Sequence, residues 1–269
     1  GRTWSRRGIA SQAFVDLARK GAHWFKASDG LQRMLLLDAS AKGMSCWDST
    51  DGGESWSGPT TCKLLGDWSR EMFREGTRTY LNSLAELADG TLLAMLNVYG
   101  DTFKHIPGDT LMTWGAAHGE SWCSRSEDRG LNWSEPVPTD YAADRPGEPP
   151  GHPNIGFSEN FAAQLPGGRI VCLSRPHAAP FMWQTHSDDG GQSWSMACYA
   201  PFTGAGYPNV VATRSGYLTV VKRAPGLALN YSLDGGLNWD AGTQIDFPGI
   251  FNGRAIEVEP DVLLVVYPE

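Results

Sequence analysis

Ser49-Thr-Asp51-Gly-Gly53-Glu-Ser-Trp56 decides the reading of this chain, because its spacing returns three more times. Ser126-Glu-Asp128-Arg-Gly130-Leu-Asn-Trp133, Ser187-Asp-Asp189-Gly-Gly191-Gln-Ser-Trp194 and Ser232-Leu-Asp234-Gly-Gly236-Leu-Asn-Trp239 all satisfy Ser-x-Asp-x-Gly-x-x-Trp. Four fixed positions coincide by chance on the order of 0.01 times or less in a chain of this length, so the motif is a true repeat. Its chemistry is that of a turn. The Asp carboxylate accepts backbone N–H bonds within its own loop, glycine supplies a positive φ, and tryptophan anchors the hairpin. A carboxylate tied up in this way is structural, so calcium binding or catalysis by these aspartates is set aside.

Each motif follows a short apolar or aromatic segment (Met44 to Trp47, Ser121 to Cys123, Phe181 to Trp183, Leu227 to Leu229) that reads as a strand entering the turn. Gly1-Arg-Thr-Trp4-Ser5 reads as the tail of a fifth copy. Successive tryptophans are then 52, 77, 61 and 45 residues apart, each interval long enough for one four-stranded sheet plus insertions. A second signal runs in step. Leu84 to Leu96, Phe161 to Leu173 and Val210 to Val221 each read as strand, tight turn, strand, centred on Gly90, Gly168 and Gly216. Ile256 to Val266 is a further such hairpin without its turn glycine. The expected fold is all-β: a six-bladed β-propeller of four-stranded antiparallel blades, one domain over residues 1–269, with its first and last blades incomplete. Ser11 to Lys20 is the one expected short helix.

Composition narrows the function classes. With 269 residues and 41% hydrophobic content the chain buries a substantial core, which excludes disordered and fibrous classes. Its 32 glycines and 11 tryptophans follow from turns and anchors that recur once per repeat. A net charge of −8, with no basic run longer than Ser5-Arg6-Arg7, argues against a general nucleic-acid binder. No apolar run reaches the length of a membrane-spanning helix. Five cysteines without a CxxC pair indicate buried thiols rather than a zinc site or a disulfide framework.

With these repeats the chain resembles the sialidase (neuraminidase) superfamily, whose six-bladed propellers carry such Asp boxes. The resemblance implies a pocket in which three arginines hold the carboxylate of a sugar acid, a tyrosine with a glutamate as its base attacks the anomeric carbon, and an aspartate serves as acid and base. Planar guanidinium forks suit a carboxylate, and a neutral tyrosine avoids repulsion from it. Glu159-Asn-Phe-Ala-Ala-Gln-Leu165-Pro-Gly-Gly168, continuing to Arg175, is similar to the family pattern Glu-x5-Leu-x-x-Gly-x6-Arg. On that match Glu159 is the catalytic base and Arg175 a carboxylate-binding arginine; the plain alternative is a strand-start carboxylate paired with a strand-end arginine. Counting from the next turn puts Arg223 in the slot of Arg175, as a second clamp arginine or a loop arginine. Asn97 fills that slot one repeat earlier.

The family's tyrosine opens the innermost strand of the last blade, which maps to Ile250-Phe-Asn-Gly-Arg254, where no tyrosine stands. Tyr207, in the slot of Glu159 one repeat on, is read as an aromatic lining the sugar site or, less directly, as the reacting group. The first arginine and the acid aspartate map upstream of residue 1. Two Pro/Gly-rich insertions supply further candidate sugar contacts, Asp101, His105, Arg145 and His152, with His177 at the expected pocket rim. No histidine pair has the i, i+4 spacing of a helical metal site and no Gly-x-Ser-x-Gly elbow is present, so no metal, cofactor or serine-hydrolase chemistry is expected. The expectation is a retaining, sialidase-like exo-glycosidase for a glycan ending in an acidic sugar, secreted or periplasmic as the resemblance implies. The alternatives are a non-catalytic propeller that binds carbohydrate or protein, and an enzyme of another glycan reaction in the same pocket.

Overall fold

A computed structural model describes residues 11–27, 29–100, 119–139, 157–176, 181–223, 226–247 and 252–267. Helix α1 (Gln12–Arg19) is N-capped by Ser11, whose hydroxyl accepts from the Phe14 N–H at 3.3 Å, and it lies where the sequence places its one short helix. The first sheet follows as β1 (His23–Lys26), β2 (Gln32–Asp38), β3 (Gly43–Ser49) and β4 (Ser57–Thr61). Then come β5 (Lys63–Leu64), the single-turn α2 (Trp68–Glu71), β6 (Thr77–Glu86), β7 (Leu92–Gly100), β8 (Gly119–Ser126), β9 (Asn132–Trp133) and β10 (Val137–Pro138). Of these, β6, β7, β8 and β10 form the second sheet, and β5 pairs in parallel with β9.

The third sheet is β11 (Phe157–Gln164), β12 (Ile170–Pro176), β13 (Phe181–Ser187) and β14 (Cys198–Thr203). The fourth is β15 (Ala205–Ala212), β16 (Leu218–Arg223), β17 (Leu227–Ser232) and β18 (Thr243–Asp246), followed by the pair β19 (Arg254–Glu259) and β20 (Val262–Val266). Every one of these sheets is an antiparallel meander with its strands in chain order. Such an arrangement is consistent with a propeller-like sialidase fold.

The sheets stack in chain order, each interface filled by its own apolar layer. Leu35, Met44 and Cys46 of the first meet Leu81, Leu92 and Leu96 of the second. Leu93, Met95 and Cys123 meet Ala162, Ile170 and Cys172. Phe161, Leu173 and Met182 meet Val210, Leu218 and Val220, and Val221 and Leu227 meet Ala255 of β19. A second strand covered on both faces is buried along its length: Leu92 to Val98 is buried throughout, with Asn97 its one polar residue, as is Leu218 to Lys222, with Thr219 and Lys222. The outer strand β4 is exposed along its length. First strands of successive sheets lie side by side, β6 on β11, β11 on β15 and β15 on β19, and this brings their N-terminal halves to a common centre.

The repeated motif works as its residues dictate, and it also ties sheet to sheet. Asp128 Oδ1 accepts from the Leu131 and Asn132 N–H groups (3.1 and 2.8 Å) and from the Ser126 hydroxyl (2.8 Å), whose oxygen accepts from Gly130 N–H. Trp133 Nε1 closes the turn on the Gly130 carbonyl at 2.9 Å. Asp51, Asp189 and Asp234 repeat the carboxylate pattern. The second, third and fourth turns dock on the preceding sheet. Arg33, held by Asp48 on both carboxylate oxygens, donates to the Arg129 carbonyl at 2.5 Å, and Gln184 donates to the Gly236 carbonyl while accepting from Trp239 Nε1. A Cβ on Gly191 would come within 3.0 Å of Leu93, so that turn packs against the second sheet without room for a side chain.

In the last hairpin, where the sequence has no turn glycine, Asp261 takes the left-handed conformation at φ 60°. Its N–H donates to Glu257 Oε1 and its carboxylate accepts from the Ser215 hydroxyl of the neighbouring sheet. All five cysteines are free thiols, four buried and Cys198 exposed. Among the described residues no helix is long and apolar enough to cross a membrane.

Burial works against the charge of Asp128, but the hydrogen bonds from Asn132, Ser126 and Leu131 prevail and hold its carboxyl below its ordinary value; Asp189 is held at about 2 in the same way. Groups depressed on folding stabilise the fold fully above the unfolded carboxylate value of about 4 and lose that contribution as pH falls through their folded values. Chemical denaturation is therefore expected to show stability falling steadily below about pH 4. Asp128→Ala is expected to remove about 1–2 kcal/mol at neutral pH and to flatten part of that acid dependence.

Candidate functional site

The centre is built from backbone irregularities in the first strands. The ladder of β11 with β12 slips between Ser158 and Phe161, and that of β15 with β16 between Ala205 and Asn209. Inside these bulges Glu159 stands at φ 52° and Tyr207 at φ 40°, conformations disfavoured for side-chain-bearing residues and found where surrounding structure enforces them. β6 slips in the same stretch, between Leu81 and Ser83, and there the extra residue is Asn82, which aligns with Asn160. A bulge turns its side chain out of the regular in-and-out alternation, and this places unlike residues of successive sheets around one space.

Glu159 is fixed from three directions. Its Oε1 accepts from Arg175 Nη1 at 3.1 Å and its Oε2 from the Tyr207 N–H at 2.8 Å. Its own N–H donates to Asn97 Oδ1 at 2.7 Å. Asn97 is fully buried, donates to the Glu120 carbonyl and the Ser121 hydroxyl, and accepts from Asn82, which donates also to Asn160 Oδ1 at 2.8 Å. The slot that holds an arginine in the third and fourth sheets thus carries, in the second, the amide that anchors the Glu159 backbone.

Arg175 and Arg223 occupy matching positions at the ends of β12 and β16. Arg223 lies over the Tyr207 ring, 5.9 Å from its centroid, and against Gly206, where a Cβ would overlap its guanidinium. Arg254, which opens β19, lies 4.5 Å from the centroid of Phe161 and 5.7 Å from that of Tyr207. Among the described residues it makes no hydrogen bond or ion pair; its guanidinium lies against these two aromatic faces and feels the charge of Glu159. Asn209 Oδ1 accepts from the Ala255 N–H at 2.6 Å and secures the backbone beside it.

Tyr99, at the end of β7, completes the cluster. Burial pushes its hydroxyl up to about 12; a hydrogen bond with Ser158 and the charge of Arg175 pull the other way, whereas the charge of Glu159 adds to the rise. It is a neutral phenol at physiological pH, and loses its proton there only to an adjacent base. His23, at the start of β1, feels the charge of Arg254; burial and that charge bring its pKa to about 4, so it too is neutral.

Of the residues selected from the sequence, Glu159, Arg175, Tyr207 and Arg223 are brought together. Asp101, His105, Arg145, His152 and His177 lie outside the described residues. Arg254, Tyr99 and Asn97 belong to the cluster although nothing in the repeat pattern marks them as site residues. Arg254 stands where the resemblance asks for a tyrosine, and that position was the available clue. Among the described residues no group of three or more His, Cys, Asp or Glu side chains is placed to hold a metal ion. Chemically the cluster offers guanidinium groups for an anion, aromatic faces, and a carboxylate beside a phenol.

Comparison with known proteins agrees on the scaffold. The chain is similar to a protein of unknown function from Dyadobacter fermentans (TM-score 0.63, 17% identity, 91% of this chain and 71% of that one). It is similar also to the Hadza microbial sialidase Hz136 (TM-score 0.60, 14% identity, 92% and 52%) and to an exo-β-1,3-galactanase from Clostridium thermocellum (0.57, 11%, 92% and 51%). Further sialidases and intramolecular trans-sialidases match with comparable scores. This chain spans about half the length of the Hz136 structure. No protein-family model matches the sequence, and no curated protein does. At these identities the likeness is one of fold: a sialidase-like, all-β scaffold.

Two measurements probe the cluster. In an ultraviolet pH titration one tyrosine is expected to ionise near pH 12, well after exposed tyrosines, and Tyr99→Phe should remove that late component. Asn97→Ala leaves the Glu159 N–H and the Asn82 amide without their acceptor, and is expected to cost about 2–4 kcal/mol in denaturant unfolding.

Proposed function

We propose that this chain is a sialidase-like glycoside hydrolase domain, part of a six-bladed propeller, which takes the terminal acidic sugar of a glycan at the centre where its first strands meet. The observation that carries this reading is the convergence of the Glu159–Arg175 pair with Arg254, a guanidinium over two aromatic rings that has no hydrogen bond or ion pair among the described residues. Arginine forks in a partly enclosed, aromatic-walled site suit the carboxylate of a sugar acid.

In this reading Arg175, Arg223 and Arg254 hold the sugar's anionic group and the Tyr207 ring lines its face. Glu159 takes the proton of the Tyr99 hydroxyl as the phenolic oxygen bonds to the anomeric carbon and the glycosidic C–O bond breaks. The departing oxygen takes a proton from an acid outside the described residues. Water then gives a proton to the base that this acid has become and displaces tyrosine, whose oxygen recovers its proton from Glu159, with net retention. Export to the periplasm or the medium fits a glycan substrate.

Arg254 favours a second reading. It stands where the resemblance asks for the attacking tyrosine, and a scaffold that keeps its arginines after losing that group is a non-catalytic glycan-binding propeller.

A panel of fluorogenic exo-glycosides, sialosides and uronides included, separates the two. The hydrolase reading expects turnover of one acidic glycoside, lowered roughly 100-fold or more by Glu159→Gln. Tyr99→Phe should abolish it, and Arg175→Ala should chiefly raise KM. Flat hydrolysis across the panel, with calorimetric binding of an acidic sugar that Arg175→Ala removes, would establish the binding reading instead.

A further inference from the structure

A crevice between the first and second sheets opens at the strand ends that also carry the central cluster. Its inner part, a cavity of about 450 Å³, is lined by Lys20, His23 and Asp38 on one side and Tyr80 on the other. An outer part of about 320 Å³ is lined by Lys42, Arg74 and Glu75, and the two parts adjoin at Ala39 and Thr79. Each is of a size that takes a small ligand. The inner end joins the centre twice: His23 feels the charge of Arg254, and the Tyr80 ring packs edge-on against Tyr99 at 5.5 Å.

The lining has a definite character. Tyr80 is 47% exposed although its ring is held by Tyr99, which makes it a fixed aromatic wall. Asp38 is turned to its own loop, accepting from the Ser40 hydroxyl and the Ser40 and Ala41 N–H groups. Arg74 is paired with Glu120 at 2.6 Å. Lys20 and Lys42 make no ion pair among the described residues, so each part of the crevice holds one lysine able to take an anionic group, beside Asp38 in the inner part and Glu75 in the outer.

We infer that this crevice is a second subsite, which holds the sugars that follow the terminal one in an acidic glycan. The inference rests on the reading of the central cluster as a glycan site. Continuity with that cluster sets where the chain enters, the aromatic wall suits a pyranose face, and the two lysines suit an anionic group on an inner sugar.

Saturation-transfer NMR titrations of the full chain test it, and they also report whether each ligand stays intact. N-acetylneuraminic acid is compared with α2,8-linked trisialic acid, and galacturonic acid with trigalacturonic acid. In one of the two pairs the trimer is expected to bind about ten-fold more tightly than the monomer. Tyr80→Ala and Lys20→Glu, both changes of exposed side chains, should each remove most of that gain and leave monomer affinity within about two-fold. Equal affinity of monomer and trimer overturns the subsite while the central reading stands, and so does a trimer advantage that neither substitution alters. Failure of every monomer and trimer to bind overturns the central reading, and the subsite with it.

Discussion

The structure depends on a carboxylate that has committed its lone pairs to its own loop. In each repeated turn the aspartate accepts one or two N–H groups of the residues that follow it and the hydroxyl of the serine before it, so the loop holds its own shape. Such a turn exposes carbonyls at its tip. Arg33 takes the Arg129 carbonyl and Gln184 the Gly236 carbonyl, docking one sheet on the next, and apolar layers fill the space between those sheets.

The central cluster follows from the meeting of the first strands and from the bulges. An unbroken first strand would divide its side chains between the two neighbouring sheets and leave the axis to backbone. The slips at Glu159 and Tyr207 break the alternation and place one functional side chain per sheet toward the shared space. The energetic demand of those left-handed residues is met by contacts from other sheets: Asn97 holds the Glu159 backbone, and Glu159 in turn holds that of Tyr207. Position and strain are thereby passed from the second sheet to the fourth through named hydrogen bonds.

Much of this is legible in the chain. The turns, the inner hairpins and α1 are local features, fixed by residues within a few positions of one another, and Glu159 with Arg175 lies on a spacing within one hairpin. Tyr207 and Arg223 follow by counting in the next. What the sequence does not carry is adjacency between sheets. Arg254 meets Phe161 and Tyr207 from two other hairpins, Tyr99 reaches Glu159 from the second sheet, and Asn97 reads as a slot without a function until Glu159 is seen to donate to it. The outer strands β4 and β18 are equally silent, since a strand largely exposed on both faces has no apolar alternation to reveal it.

The bulge has a consequence for how such a molecule changes its chemistry. The residue in it is held by its backbone and by polar neighbours, while the apolar layers on either side are filled by other positions of the same strand. Glu159 and Tyr207 occupy equivalent bulges with a carboxylate and a phenol, and Arg254 brings a guanidinium to the same centre. The first strands behave as sockets, each accepting a different reagent without repacking the sheets that carry it. A scaffold organised in this way separates the selection that acts on its substrate from the selection that acts on its stability.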